Sequence, residues 1–181
     1  MDWFTLTAQL IGLVAMAFNI LSYQQATRKR VIAFQMVGTF LFSINFFMLG
    51  AIMGCILNAL SAVRAVIFLN KEKLRADRLS WFIGFVAVYL ISYAMTFTVF
   101  GMEPTVKNLI LEFLPVIGMI AITISFRLSD AKAIRKYALI SSPCWLIYNC
   151  TVPSTGGIIC EVFNMISIVV GLIRYKKADT E

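Results

Sequence analysis

The 181-residue chain has no histidine, so it lacks the commonest proton carrier and the commonest metal ligand. Charge is scarce: Asp, Glu, Lys and Arg make up 14% of the residues, against about 25% in soluble domains. Acid is scarcer than base, with 9 Asp and Glu beside 16 Lys and Arg. There is no H-E-x-x-H pattern, no phosphate-binding glycine loop, no Cys/His pair and no pair of neighbouring carboxylates of catalytic type. An enzyme is therefore not expected, and neither is a metal or another cofactor. The four cysteines, Cys55, Cys144, Cys150 and Cys160, lie in or beside apolar runs without metal-ligand spacing. They read as small packing residues. Cys150 and Cys160 flank a short loop and offer the alternative of a disulfide in an oxidising compartment.

What the chain has in excess is apolar length. Hydrophobic residues make up 60% of it, above the usual range of about 45–50%. That excludes an ordinary soluble domain and leaves room for about seven spans of about 20 residues each. The apolar runs place them at Thr7 to Tyr23, Ile32 to Leu49, Ile52 to Leu69, Leu79 to Phe100, Leu109 to Leu128, Tyr137 to Val152 and Ile158 to Tyr175. Gly50-Ala51 and the segment PSTGG mark tight turns. The start, MDWFTLTAQL, has no basic n-region or A-x-A-like site, so no cleaved signal peptide is expected.

The net charge of +7 would suggest nucleic acid in a soluble chain. Here the cations sit between spans. Arg28, Lys29 and Arg30 follow the first span. Lys71, Lys73, Arg75 and Arg78 follow the third, and Arg127, Lys132, Arg135 and Lys136 surround the turn after the fifth. Arg174, Lys176 and Lys177 close the chain, and Arg64 and Lys107 alone fall elsewhere. Basic loops that alternate with neutral ones put the N-terminus outside and the C-terminus in the cytoplasm.

Shifting the chain by 106 residues lays GAIMGCILNALSAVRAVI (50–67) on GGIICEVFNMISIVVGLI (156–173). Gly50 meets Gly156, Asn58 meets Asn164, Ser61 meets Ser167, Val63 meets Val169 and Ile67 meets Ile173. Upstream, Ile11-Gly12 meets Ile117-Gly118 without a gap. A fixed offset implies a duplicated membrane unit. Three spans invert the chain and the fourth restores its direction, so the copies run parallel. The expected organisation is a first three-helix repeat at 1–78, a linker helix at 79–105 and a second repeat at 106–181.

Polar groups are costly in hydrocarbon unless they face the bundle interior. Asn58 and Asn164 lie about 12 Å below the turn that precedes each, by helical rise, and an amide both donates and accepts. They are the first candidates for solute contact, with helix–helix bonding as the alternative. Trp145, Tyr148 and Asn149 share one helical face. Trp145 and Asn149 read as a pocket wall, whereas Tyr148 suits an interfacial aromatic belt better. Asn45 joins the binding candidates. Glu161 is read either as a proton-coupling group or as an acid capping the seventh span, the latter preferred. Arg64 is expected to snorkel to the inner surface, and Glu112 to reach the outer water.

With these features assembled, the chain resembles SWEET/PQ-loop-type carriers. One asparagine, Asn58 or Asn164, stands in the third helix of each unit. Trp145-Leu146-Ile147-Tyr148-Asn149 is similar to the W-x-x-Y-G end of a SWEET-type second helix, with Asn in place of Gly. The resemblance implies asparagines that contact sugar beside aromatic residues. The proline-glutamine signature departs from it: Gln24-Gln25 stands in the first copy, and Phe126-Arg127-Leu128 has no equivalent in the second. Over nearly the whole chain, FNILSYQQ (18–25) and INFFMLGAIMGCILNALSAVRAVIF (44–68) look like the bacterial inner-membrane YgjV family. That likeness implies location and fold rather than an activity. The expectation is an all-α, SWEET-like inner-membrane protein that moves a small neutral polar solute such as a sugar. The alternative is a non-transporting accessory or assembly protein whose amides only pack helices. The partners expected are the lipid bilayer and the solute, not nucleic acid, with a homo-oligomer left open.

Overall fold

Helix boundaries follow capping chemistry more closely than hydropathy. In the computed structural model, which describes residues 3–128 and 131–178, the order is α1 (Trp3–Tyr23), α2 (Arg28–Met48), α3 (Ile52–Leu69), α4 (Lys71–Leu74), α5 (Leu79–Thr98), α6 (Val106–Arg127), α7 (Ala131–Thr151) and α8 (Thr155–Ala178). The side chains of Ser167, Val169 and Ile173, which carry part of the expected repeat, lie outside the described ones. The Thr27 hydroxyl accepts from the Arg30 N–H, so α2 starts at Arg28 inside the basic cluster rather than at Ile32. The Thr105 hydroxyl accepts from Asn108 N–H and starts α6 three residues before Leu109. In both cases polar residues read as loop are the first turn of a helix.

Among the described residues there are eight helices and no strand. Five of them, α1, α2, α3, α5 and α6, are long and apolar enough to cross a membrane. The other two long helices differ in composition. α7 carries Lys132, Arg135 and Lys136 in its first two turns and Ser141, Ser142 and Asn149 further on. α8 has a described apolar stretch, Thr155–Ile166. Bulky apolar side chains such as Phe40, Phe47, Ile83, Ile91, Ile110 and Phe163 stand exposed on the helices. On a membrane protein this belt faces lipid.

Neighbouring helices close a ring: α1 packs on α2, α2 on α3, α3 on α6, α6 on α7, α7 on α8, and α8 on α1, while α5 leans on the α3–α6 seam. The basic loops gather at one end. There the Arg28 guanidinium donates to Phe68 O at 3.3 Å and to Phe126 O at 2.8 Å, the last carbonyls but one of α3 and α6. Lys71 donates to Arg127 O, and Arg127 to Asp77 O at 3.1 Å. Cations on helix C-termini satisfy carbonyls that have no intrahelical partner. Burial, then the nearby Arg28 charge, push the Lys71 ammonium below its ordinary pKa, while Asp77 works the other way.

The opposite end is tied between α1 and the α7–α8 turn. Gln9 donates to Pro153 O at 2.8 Å and accepts from Thr155 N–H. Asn45, reaching across from α2, donates to Ala8 O at 2.7 Å and accepts from the Ser154 hydroxyl at 2.8 Å. Gly50, at φ +73°, makes the α2–α3 turn. Gly156, 106 positions further on, has another task. It lies inside α8 against the backbone of Gly12 and Leu13, where no Cβ fits.

One alternative falls away and one expectation is corrected here. Cys150 is exposed, Cys160 is buried, and both are free thiols, so the α7–α8 turn carries no bridge. Tyr148 does not belong to an interfacial belt. It is buried against Phe46 and Trp145, and its hydroxyl accepts from Gly54 N–H at 3.0 Å in the first turn of α3. That N–H has no intrahelical acceptor, so the phenol caps α3 from across the ring.

Candidate functional site

The centre of the ring holds a cavity to which all six of its helices contribute: Asn19 and Tyr23 of α1, Gln35, Thr39, Phe42 and Phe46 of α2, and Asn58, Ser61, Arg64 and Ala65 of α3 on one side. Met119, Ile122 and Phe126 of α6, Ser141, Ser142, Trp145 and Asn149 of α7, and Gly157, Glu161 and Asn164 of α8 complete it. The wall reaches Tyr23, the last residue of α1, and Phe126, one residue before the end of α6, so it extends toward the basic end. Toward the other end it stops at Phe46, Asn149 and Gly157, beside the Asn45–Ser154 tie.

Asn58, Asn164, Trp145, Asn149 and Glu161 thus meet in one place. Asn58 donates to Gly54 O at 2.9 Å, one turn back. Asn164 donates to Glu161 Oε2 at 3.4 Å and to Cys160 Sγ at 3.6 Å. The Oδ1 atoms of Asn149 and Asn164 are buried without a hydrogen-bond partner. An unpaired buried acceptor costs about 1–3 kcal/mol, and an acceptor on a cavity wall can recover this from a solute donor. Asn45 stands elsewhere: it is fully buried and spent on the α1–α8 tie.

Glu161 does not cap α8. The helix starts at Thr155, so Glu161 sits in its second turn, beyond the free N–H groups of the first, and lines the cavity. Glu112 does not reach water. It is buried in α6, and its Oε2 has no partner. Because a near-isosteric apolar residue removes that orphan, Glu112→Leu is expected to raise stability by about 1–3 kcal/mol. A denaturation midpoint that stays put or falls would show that the carboxyl is held by a group the protein needs.

The residue that hydropathy misplaces most is Arg64. It does not snorkel. It is 4% exposed, inside the ring, with Nη1 donating to Thr123 Oγ1 at 3.0 Å, Met119 O at 3.1 Å and Tyr89 Oη at 3.3 Å. Nη2 donates to Ser61 Oγ at 3.2 Å, and the guanidinium carbon stands 5.0 Å from the Phe126 ring centre. Snorkelling wins when water is the only strong acceptor in reach. Here α5 and α6 supply hydroxyls at the depth where the side chain starts. The sequence signal was a lone arginine among apolar residues, with partners 25 and 59 positions away.

The Imp-YgjV family of bacterial inner membrane proteins matches residues 6–179, nearly the whole chain. The chain belongs to that family. It is thus an inner membrane protein with several membrane-spanning helices. No curated protein matches it. No solved structure matches it either. The family assignment carries location, and any activity has to be argued from the cavity.

Proposed function

We propose that the protein is a carrier for a small polar solute, of the size and polarity of a sugar, and works by alternating access between two three-helix units. The observation that carries this reading is the polar cavity at the centre of the ring, which Asn58 and Asn164 both line. A helix-packing protein has no need of unpaired amide oxygens around a central space.

The units are 1–78 and 106–181, with α5 in the linker 79–105, and all seven long helices span the bilayer. The ring supports this division. A shift of 106 residues turns α1 into α6, α2 into α7 and α3 into α8, and each neighbour relation in the ring then maps onto another. The basic end faces the cytoplasm. A cavity that runs toward that end and is tied shut at the other has the layout of an inward-open carrier.

The test is uptake of a radiolabelled panel of sugars, polyols and their carboxylate derivatives by proteoliposomes, with Asn58→Ala and Asn164→Ala as variants. A solute hydrogen bond is worth about 1 kcal/mol or somewhat more, so each variant is expected to weaken apparent affinity about tenfold while its melting temperature stays close to wild type. If both variants melt normally and the wild type neither moves nor is stabilised by any solute, the carrier reading fails.

A further inference from the structure

A neutral solute brings no charge to balance a buried cation. Yet a guanidinium sits in this cavity wall, and every partner it has is uncharged: three hydroxyls, a carbonyl, a thioether and a ring face. A buried charge left without a counter-charge is strongly destabilising unless something compensates it. A hydroxyl network solvates the cation and does not neutralise it.

The unused part of Arg64 is specific. Its Nη1 has acceptors on α5 and α6, Nη2 has one acceptor for two hydrogens, and Nε is buried with no partner at all. Nε and Nη2 form one edge of the guanidinium plane. That edge presents two parallel N–H groups, the geometry that takes both oxygens of a carboxylate. The protein has satisfied Nη1 and left this edge with one bond, from Nη2 to Ser61 Oγ, and a buried, unpartnered Nε.

The rest of the wall bounds the ligand. Arg64 is the cation and Glu161 the acid among the lining residues, so a dianion such as a phosphate monoester would keep a surplus negative charge after pairing with Arg64. A single carboxylate meets its match. Arg64 is 12 residues past the start of α3 and Glu161 six past the start of α8. Helical rise sets them about 9 Å apart in depth, and Glu161 turns a carboxylate toward the Arg64 level. Beside Glu161, the unpaired Oδ1 of Asn164 requires a donor, which a hydroxyl group supplies.

We propose that the cavity contains an anion subsite on the Nε/Nη2 edge of Arg64, and that the solute is a small hydroxyl-bearing monocarboxylate, with a hydroxyl on Asn164. This rests on the carrier reading and narrows its small polar solute to an anionic one.

The experiment compares matched pairs on the detergent-purified full chain at constant ionic strength: gluconate with sorbitol, glycerate with glycerol, and lactate with propane-1,2-diol. At least one carboxylate is expected to raise the wild-type melting temperature by several degrees, while its neutral twin leaves it unchanged. Arg64→Gln is expected to weaken that binding at least tenfold, and Arg64→Lys, which keeps the charge and loses the fork, to fall between. Because the hydroxyls of Tyr89 and Thr123 already lie 3.1 Å apart, they can bond to each other when the guanidinium is removed, so the variants remain testable. The wild-type pairs need no variant. Equal shifts from the neutral twins, a carboxylate shift that survives Arg64→Gln, or no shift from any carboxylate would each overturn the subsite. Neutral sugars that bind and depend on Asn164 would overturn it while leaving the carrier standing. Absence of both binding and uptake for every solute would remove the carrier as well.

Discussion

Gly156→Leu will abolish folded protein, and even Gly156→Ala will cost about 3 kcal/mol or more, the top of the range for overpacked sites. The reason is what the side chain would meet. A Cβ on Gly156 falls on the carbonyl carbon and oxygen of Gly12 and within 2.8 Å of Leu13 N, all of them backbone. A flexible side chain can step aside, but the backbone of a helix moves only with the helix. α1 and α8 would have to separate, and the bonds from Gln9 to Pro153 and from Asn45 to Ala8 and Ser154 span the same seam. Small residues at such crossings let membrane helices approach closely enough to gain dispersion energy that lipid would otherwise supply. Gly84→Ala is the control, since a Cβ there meets nothing within 4 Å. It should leave the melting temperature unchanged or raise it slightly, because alanine is the better helix former. Size-exclusion profiles and thermal melts of the two alanine variants, expressed side by side, decide the point. A Gly156→Ala protein as stable as Gly84→Ala would mean that α1 and α8 do not touch there.

Gly156 also shows where sequence reading stops. The offset of 106 residues finds it as the partner of Gly50, and both are indeed glycine for a backbone reason. Gly50 needs a left-handed turn, whereas Gly156 needs to be thin. Periodicity and spacing locate a glycine without saying which of the two it serves.

Five of the spans were legible, α1, α2, α3, α5 and α6, because a run of about 20 apolar residues has one physical use. Their first turns were not, since Arg28 to Arg30 and Val106 to Asn108 look like loop until the Thr27 and Thr105 hydroxyls are seen to cap them. Asn58, Asn164, Trp145 and Asn149 were legible as a group, because polar groups at depth must face inward and there is one interior to face. Arg64, Glu112 and Tyr148 were misjudged for a shared reason. Each was assigned to a membrane surface by its distance along the helix. Each is instead positioned by what surrounds it: hydroxyls on α5 and α6 for Arg64, an N–H at the start of α3 for Tyr148, and burial within the bundle for Glu112. One-dimensional depth cannot see a lateral neighbour.

Asn45 is the most consequential case, and Asn45→Ala should cost about 2–4 kcal/mol. Its amide was expected to meet solute, but both of its ends are spent within the protein. Nδ2 donates to Ala8 O on α1, Oδ1 accepts from the fully buried Ser154 hydroxyl, and that hydroxyl in turn accepts from Gly157 N–H at 3.3 Å. Three segments distant in sequence therefore hang on one side chain. Alanine removes the bonds, leaves the Ser154 O–H without an acceptor, and opens a hole where the amide stood against Gly12. The unpaired hydroxyl can be separated from the hole by a double-mutant cycle. Ser154→Ala alone also strands an amide oxygen, so it too should destabilise, whereas the double variant strands neither partner of that bond. The double variant should therefore be more stable than the sum of the singles by about 1 kcal/mol. Strict additivity would mean that Asn45 and Ser154 do not share a bond. Solute binding offers an independent check. If Asn45 acts only on the seam, a variant still folded at low temperature should bind solute with wild-type affinity, whereas Asn164→Ala should not. Stability and affinity then fail in different variants, and that separation distinguishes the α1–α8 tie from the cavity it closes.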